Sequence, residues 1–298
     1  MTKVFSYLGE DNLNKVGVEW RGVEYNFTQS WEMFKEIKLD RTAPSFPLVQ
    51  LIIEMDLFYK ETFDELFETL LEYRKIDDLR IRGHRKFLAP IMRPPKIIGI
   101  GRNYAKHAKE LGNQIPKVPV FFSKPSSSII ASGDPIRIPA GVGRVDYEGE
   151  LAFVISKNCT DVSAAEAMEY VAGYTQVNDV TARTVQKEDK EKGLPWFRSK
   201  GYDTFCPMGP YLIPAGCVEN PDDLDLLVNV NGEVKQQGST KDMMFKIPQL
   251  VEYLSKCMTL FAGDVIATGT PEGVGPIVSG DTVEVKIDDW GILRNRVV

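Results

Sequence analysis

Two glutamates in the run DYEGELAFVI, Glu148 and Glu150, stand at alternate positions where an apolar segment, Leu151 to Ile155, begins. If the run is a strand, residues two apart share a face and lie roughly 6–7 Å apart at about 3.3 Å rise per residue. Like charges so close repel each other, and burial worsens the repulsion. A third carboxylate, Asp179, ends another apolar run in YTQVNDVTAR. Two carboxylates from one strand and one from the end of a neighbour make an oxygen-only cage for a hard divalent cation, Mg²⁺ or Mn²⁺ rather than Zn²⁺. A 2+ charge favours the ionised carboxylates and removes the repulsion. The competing reading is the solvated face of an edge strand, which needs no metal.

Three other stretches carry residue types suited to chemistry. In GIGRNYAKHAKELG, His107 and Glu110 lie three apart and share a face if YAKHAKEL is helical. A carboxylate beside an imidazole orients it and raises its basicity, as a general base requires. A solvated surface pair is the alternative. Lys200, in KEKGLPWFRSKGYD, follows a Gly-Leu-Pro-Trp loop. Near a metal it would bind a substrate carboxylate or stabilise an enolate; elsewhere it would be a solvated loop lysine. In ATGTPEGVG, Ala267 to Gly275, a strand ends in a Thr/Gly-rich turn. Its backbone N–H groups suit an anion nest, or a plain structural turn. The lysine and the spacing of a nucleotide-binding P-loop are missing.

The elements that must position these residues are mostly strands. KIIGIG, VFFSK, ELAFVIS, VAGYTQVND, GPYLIP, DLLVNVNGEV, DVIATGT and DTVEVKID read as short strands between Gly/Pro turns. They follow one another too closely for regular βαβ crossovers, so a mixed, sheet-rich α+β domain is expected. SAAEAMEYV and IPQLVEYLSKCM read as helices. The second has Ile247, Leu250, Val251 and Leu254 three or four apart. Upstream, VGVEW and GVEYNFT are strand-like, and residues 47–74 have helical periodicity. Pro90, Pro94 and Pro95 suit an extended connector. The boundary expected from this is a small N-terminal α+β domain over 1–92 and a larger catalytic domain over 93–298.

Composition excludes several function classes. The 298 residues are 43% hydrophobic with a net charge of −6, and no basic cluster points to nucleic acid. No apolar run approaches the roughly 20 residues of a membrane span. The start, MTKVFSYLGEDNLNK, is too polar for a signal peptide, so a cytoplasmic location is expected. Cys159, Cys206, Cys217 and Cys257 are scattered and read as reduced thiols. With only His84 and His107, a histidine-rich metal site is excluded.

Taken together, the segments IIGIGRNYAKHAKELG, FFSKPSSSI, DYEGELAFVI, VNDVTARTVQKEDKEKGLPW, SKGYDTFCPMGP, VNGEVKQQGSTKDMMFKIPQLVEYLS and LFAGDVIATGTPEGVGP occur in an order that resembles the fumarylacetoacetate hydrolase superfamily. The GLPW loop and the GRNYxxH opening are most similar to its acylpyruvase, fumarylpyruvate hydrolase and oxaloacetate decarboxylase branch. The resemblance implies a mixed β-roll, a homodimer and a small 2-oxo acid substrate. It also implies that Glu148, Glu150 and Asp179 hold Mg²⁺ or Mn²⁺, and that His107 and Glu110 form a dyad on a lid helix. Lys200 would face the substrate with Gln186 beside it, Arg183 would lie near the metal, and Thr270 would meet the substrate carboxylate. The reaction implied is hydrolysis of the C–C bond of an acylpyruvate or related 2,4-dioxo acid, with oxaloacetate decarboxylation through the same pyruvate enolate. Isomerases of hydroxymuconate or heptadienedioate type, and a non-catalytic metal- and oxo-acid-binding protein, are the alternatives.

Overall fold

The computed structural model describes residues 1–38, 46, 48–110, 112 and 114–298, so Pro47 and Leu111, at the edges of two expected helices, lie outside the described residues. Its largest sheet has six strands in the order Ile213–Pro214, Val171–Asn178, Gly149–Ile155, Val265–Ala267, Ile97–Gly101 and Val120–Lys124. Val265–Ala267 runs parallel to Ile97–Gly101, and its pairing with Gly149–Ile155 is antiparallel, so the sheet is mixed. A four-stranded sheet (Glu233–Ser239, Asp225–Val230, Thr282–Ile287, Ile292–Arg296) and a three-stranded one (Thr181–Ala182, Val145–Tyr147, Gly275–Ile277) complete the part that carries the candidate residues. This is the sheet-rich α+β class that the strand spacing predicts.

The strands Gly149–Ile155 and Val171–Asn178 are buried at every position because both faces of the sheet are covered. Side chains alternate between faces. Leu151, Phe153 and Ile155 enter one apolar cluster with Leu226, Val228, Leu250 and Leu254. Ala152 and Val154 enter another, which they share with Ile97, Val265 and the N-terminal residues Ile52, Phe63, Leu66 and Phe67. The N-terminal segment thus covers the back of the six-stranded sheet. It is tied there by the reciprocal backbone hydrogen bonds of Val4 and Leu212, at 2.9 and 2.7 Å.

Three local expectations need correction. SAAEAMEYV forms no α-helix, only a 3₁₀ turn over Ala167–Tyr170. Its backbone closes in i→i+3 bonds, Glu166 to Ser163 and Glu169 to Glu166, and Val171 already belongs to the next strand. The periodic region 47–74 splits into Val49–Glu54 and Lys60–Glu72, parted at Asp56, whose φ is +57°. Glu148 and Glu150 do not sit in one continuous strand. The chain changes sheets at Glu148, between Val145–Tyr147 and Gly149–Ile155. The helix over Arg183–Glu191, strongly charged and without a wide apolar stripe, escaped the periodicity reading.

One glycine in this frame is structurally required. A Cβ on Gly173 would lie 2.2 Å from the carbonyl oxygen of Ile213 on the adjacent strand, and backbone cannot swing aside as a side chain does. Gly173→Ala is expected to destabilise the protein by about 1–3 kcal/mol through overpacking. Urea denaturation checks this, and an unchanged midpoint would refute it.

Candidate active site

The site is assembled where the six-stranded sheet ends. Gly149 stands opposite Asn178 and Glu150 opposite Val177 in the antiparallel register. That register sets Asp179, one residue past its strand, beside Glu148, and the Asp179 N–H donates to the Glu148 carbonyl at 2.8 Å. The side chain of Asn178 accepts from the Glu148 N–H at 2.9 Å and fixes the sheet switch. Ligand oxygens of Glu148, Glu150 and Asp179 lie within 4.8 Å of one another, and all three residues are buried. A single cation ligated at about 2.0–2.6 Å spans such a set. The donor set is entirely carboxylate oxygen, so the residues fit a hard divalent ion.

Two buried lysines answer the triad's charge. Lys200 donates from Nζ to Glu148 Oε2 at 2.7 Å and to Asp179 Oδ2. Lys124 donates to Asp179 Oδ1 at 2.7 Å and to the Lys200 carbonyl. Burial alone would lower the Lys200 pKa, but the carboxylates of Asp179 and Glu148 outweigh it and raise the value, so the ammonium stays charged. Burial likewise works to raise the Glu148 pKa, and there Lys200 and Arg183 win and hold it low. Glu150 goes the other way. Burial first, then repulsion from Asp179, push its pKa well above the usual carboxylate value, which the 2.8 Å bond from the Gly269 N–H does not offset.

The remaining expected residues fall around this centre. Arg183 bonds Glu148 Oε1, Asp146 Oδ2 at 2.8 Å and Gln186 Oε1 at 2.7 Å, so Gln186 is oriented by the arginine rather than by the carboxylate triad. The Thr270 hydroxyl donates to the Gly149 carbonyl at 2.8 Å and accepts from Gln236 Nε2 at 2.8 Å. Its one proton is therefore used, and any donation from Thr270 to a substrate carboxylate falls to its backbone. His107 is 5% exposed on the short helix Ala105–Glu110. Its Nδ1 lies 3.4 Å from Glu110 Oε2, while both Glu110 oxygens accept from the Gly273 N–H at 3.2 Å. Glu110 thus pins this helix to the ATGTPEGVG turn as well as facing the imidazole. Burial lowers the His107 pKa despite the nearby Glu148 and Glu110, so the imidazole is uncharged at neutral pH.

Glu148, Glu150, Asp179, His107, Lys200, Arg183, Gln186 and Thr270 all line one cavity of about 500 Å³; Glu110 is beside it. Sequence reasoning missed Lys124 and gave no role to Asp146. Asp146 is fully buried and accepts from Arg183 and, at 2.6 and 3.1 Å, from Arg144. Lys124 carried a usable signal, since it ends the strand-like run VFFSK as Asp179 ends its own.

Comparison with known proteins identifies the family. Residues 96–298 match the family model "Fumarylacetoacetate (FAA) hydrolase C-terminal". A mitochondrial oxaloacetate tautomerase of Arabidopsis thaliana is 50% identical over 192 residues, 64% of this chain and 86% of the relative. Among solved structures, a fumarylacetoacetate hydrolase from Exiguobacterium antarcticum is 34% identical with a TM-score of 0.81, covering 100% of this chain and 99% of its own. A 5-carboxymethyl-2-hydroxymuconate delta-isomerase from Mycobacterium smegmatis is 36% identical with a TM-score of 0.71, covering 99% and 98%. With a family model matched over two thirds of its length, and a buried carboxylate triad at the end of its central sheet, this chain belongs to the fumarylacetoacetate hydrolase family.

Proposed function

We propose that this chain is a divalent-metal-dependent enzyme that moves protons on a 2-oxo acid through its enolate, with keto–enol interconversion of an oxaloacetate-type acid as the reaction. The observation that carries the reading is the meeting, in one cavity, of the carboxylate triad, a charged buried lysine and an imidazole held neutral. Glu148, Glu150 and Asp179 would hold the ion, Mg²⁺ or Mn²⁺. Bound there, the ion supplies Lewis acidity and a template for the 2-oxo and carboxylate oxygens. His107 takes a proton from C3 and, as the imidazolium, delivers a proton to the 2-oxygen to complete the enol; the reverse transfers regenerate the keto acid. Lys200 offsets the negative charge that develops on the 2-oxygen. Arg183 keeps Glu148 in place from the far side. The cavity wall carries six cationic side chains against three carboxylates, which favours an anionic substrate. The tautomerase and isomerase names among the relatives accord with this chemistry.

A second reading, C–C hydrolysis of acylpyruvates such as fumarylpyruvate, draws on the facing of His107 and Glu110. A neutral imidazole next to a carboxylate can deprotonate water for attack on the distal carbonyl. The leaving group would be the same pyruvate enolate, stabilised by Lys200, and oxaloacetate decarboxylation would use that electron sink too. A homodimer in the cytoplasm is part of the proposal. The test is a panel of oxaloacetate, acetylpyruvate, fumarylpyruvate and a hydroxymuconate-type dienoate, each assayed with Mg²⁺, with Mn²⁺ and with EDTA. Enol absorbance follows tautomerisation, and coupled pyruvate detection follows cleavage. No turnover of any of them with either ion would overturn the reading.

The acid side of the pH profile follows from His107. The neutral imidazole is the base, and its pKa lies below the usual value of about 6.5. Tautomerase kcat/KM is therefore expected to hold constant from pH 8 down past pH 6.5 and to fall only below it. An acid limb centred above pH 7 would assign the base elsewhere.

A further inference from the structure

The triad, His107 and Lys200 account for the reacting end of a 2-oxo acid, but not for one cation on the cavity wall. Arg102 follows the end of the Ile97–Gly101 strand and lines the same cavity. Its φ is +60°, in the left-handed region that non-glycine residues enter uncommonly. Asn103 holds the turn in place. Its buried amide donates to the carbonyls of Phe245 and Thr268 at 3.0 and 2.9 Å and accepts from the Phe245 N–H at 2.8 Å.

The turn aims Arg102 at Trp196, whose ring centroid lies 5.3 Å from the guanidinium carbon. Gly101 allows this packing, because a Cβ there would stand 2.5 Å from the Trp196 ring. A guanidinium placed over an indole still has N–H donors free for a planar anion. The other two arginines of the cavity are committed, Arg144 to Asp146 and Arg183 to Asp146 and Glu148. Arg102 Nε, by contrast, is buried with no hydrogen-bond partner. A buried donor without a partner is costly, and a ligand oxygen would satisfy it.

We propose that Arg102 is the specificity-determining residue of this site and receives the distal carboxylate of a dicarboxylic 2-oxo acid. This rests on the reading that the cavity takes 2-oxo acids, and it names the residue that selects those with a second carboxylate over acylpyruvates that lack one. Arg102 touches the far end of the substrate and not the reacting atoms.

The test uses an inert pair that differs only in the distal group, L-malate and L-lactate, titrated by calorimetry into the full-length protein at saturating Mg²⁺. Wild type is expected to bind malate at least about tenfold more tightly than lactate, the scale of one charge-assisted bidentate contact. Arg102→Gln should bring the two within about twofold by weakening malate alone, and Arg102→Lys should fall between. In parallel, Arg102→Gln should lower kcat/KM for oxaloacetate about tenfold through KM while acetylpyruvate, with no distal carboxylate, stays within about twofold. Wild type without a malate preference, or Arg102→Gln retaining it, would overturn the proposal. So would equal weakening of both ligands, which would mark Arg102 as a support for the cavity wall. A malate preference that depends on Arg102, in a protein that turns over no 2-oxo acid, would sink the proposed reaction and leave this assignment standing.

Discussion

Asp179→Asn is expected to destabilise the metal-free protein by about 3–5 kcal/mol, whereas Glu150→Gln, at a neighbouring position of the same triad, should change it by less than about 1 kcal/mol. The contrast follows from which carboxylate carries charge when no cation is bound. Asp179 is the shared acceptor of two buried ammonium groups, Lys124 and Lys200. Its amide would keep one acceptor oxygen but no charge, leaving Lys124 without a counterion, and a buried charge without a counterion is among the costliest single-site defects. Glu150 faces no ammonium as closely, and burial together with Asp179 raises its pKa. A protonated carboxyl replaced by an amide loses little. Because the folded-state pKa is raised, the Glu150 contribution to stability is full below the usual glutamate pKa of about 4.3 and is lost as pH rises toward the raised value. Glu150→Gln should remove that part of the pH dependence.

With Mg²⁺ both variants fall further behind wild type by the same amount. At an ion concentration of about 100 times Kd, wild type should gain about 2.7 kcal/mol, and neither variant should gain it at the same concentration. Denaturation of the three proteins in EDTA and in Mg²⁺ measures the two losses and the three Mg²⁺ responses. Equal losses in the two metal-free variants would refute the charge assignment, and an unchanged Mg²⁺ response in both would remove the triad as the metal site.

The second large effect separates proton transfer from electron withdrawal. His107→Ala should reduce oxaloacetate tautomerisation and acylpyruvate cleavage about 100-fold or more, the usual scale for loss of a general base. Decarboxylation needs chiefly an electron sink and should suffer less. Lys200→Met keeps the side-chain length but removes the charge that offsets the enolate, so all three reactions should lose about 100-fold to 1000-fold. Lys200→Met also leaves Glu148 and Asp179 with one cation fewer, so its folding and its Mg²⁺ affinity are to be measured alongside. The informative quantity is the ratio of His107→Ala losses between tautomerisation and decarboxylation at one Mg²⁺ concentration. A ratio near one would mean that His107 serves binding or closure of its helix, and the base would have to be sought elsewhere.

What the sequence determines by itself is local. Alternation and apolar runs specify the strands Ile97–Gly101, Gly149–Ile155, Val171–Asn178 and Thr282–Ile287, because burial on one or both faces is written into consecutive residues. Carboxylates where apolar runs begin or end, Glu148, Glu150 and Asp179, were legible for the same reason: a charge bordering a buried strand requires a counterion. The tertiary structure decided how those strand ends meet. The register that pairs Gly149 with Asn178 brings Asp179 to Glu148, and no nearest-neighbour pattern encodes the alignment of two strands. Lys124 and Lys200 are 76 residues apart in sequence, yet one ammonium bonds the other's carbonyl and both bond Asp179. Whether Lys200 was a solvated loop residue or a buried charge depended on that long-range closure. His107 and Glu110 show the limit in the other direction. Their i, i+3 spacing correctly implied a shared helix face, but the contact is 3.4 Å and Glu110 also accepts from Gly273, because the helix is docked against a turn over 160 residues away. Spacing along one element sets which side chains can face each other; packing against a distant segment sets what else they must bind.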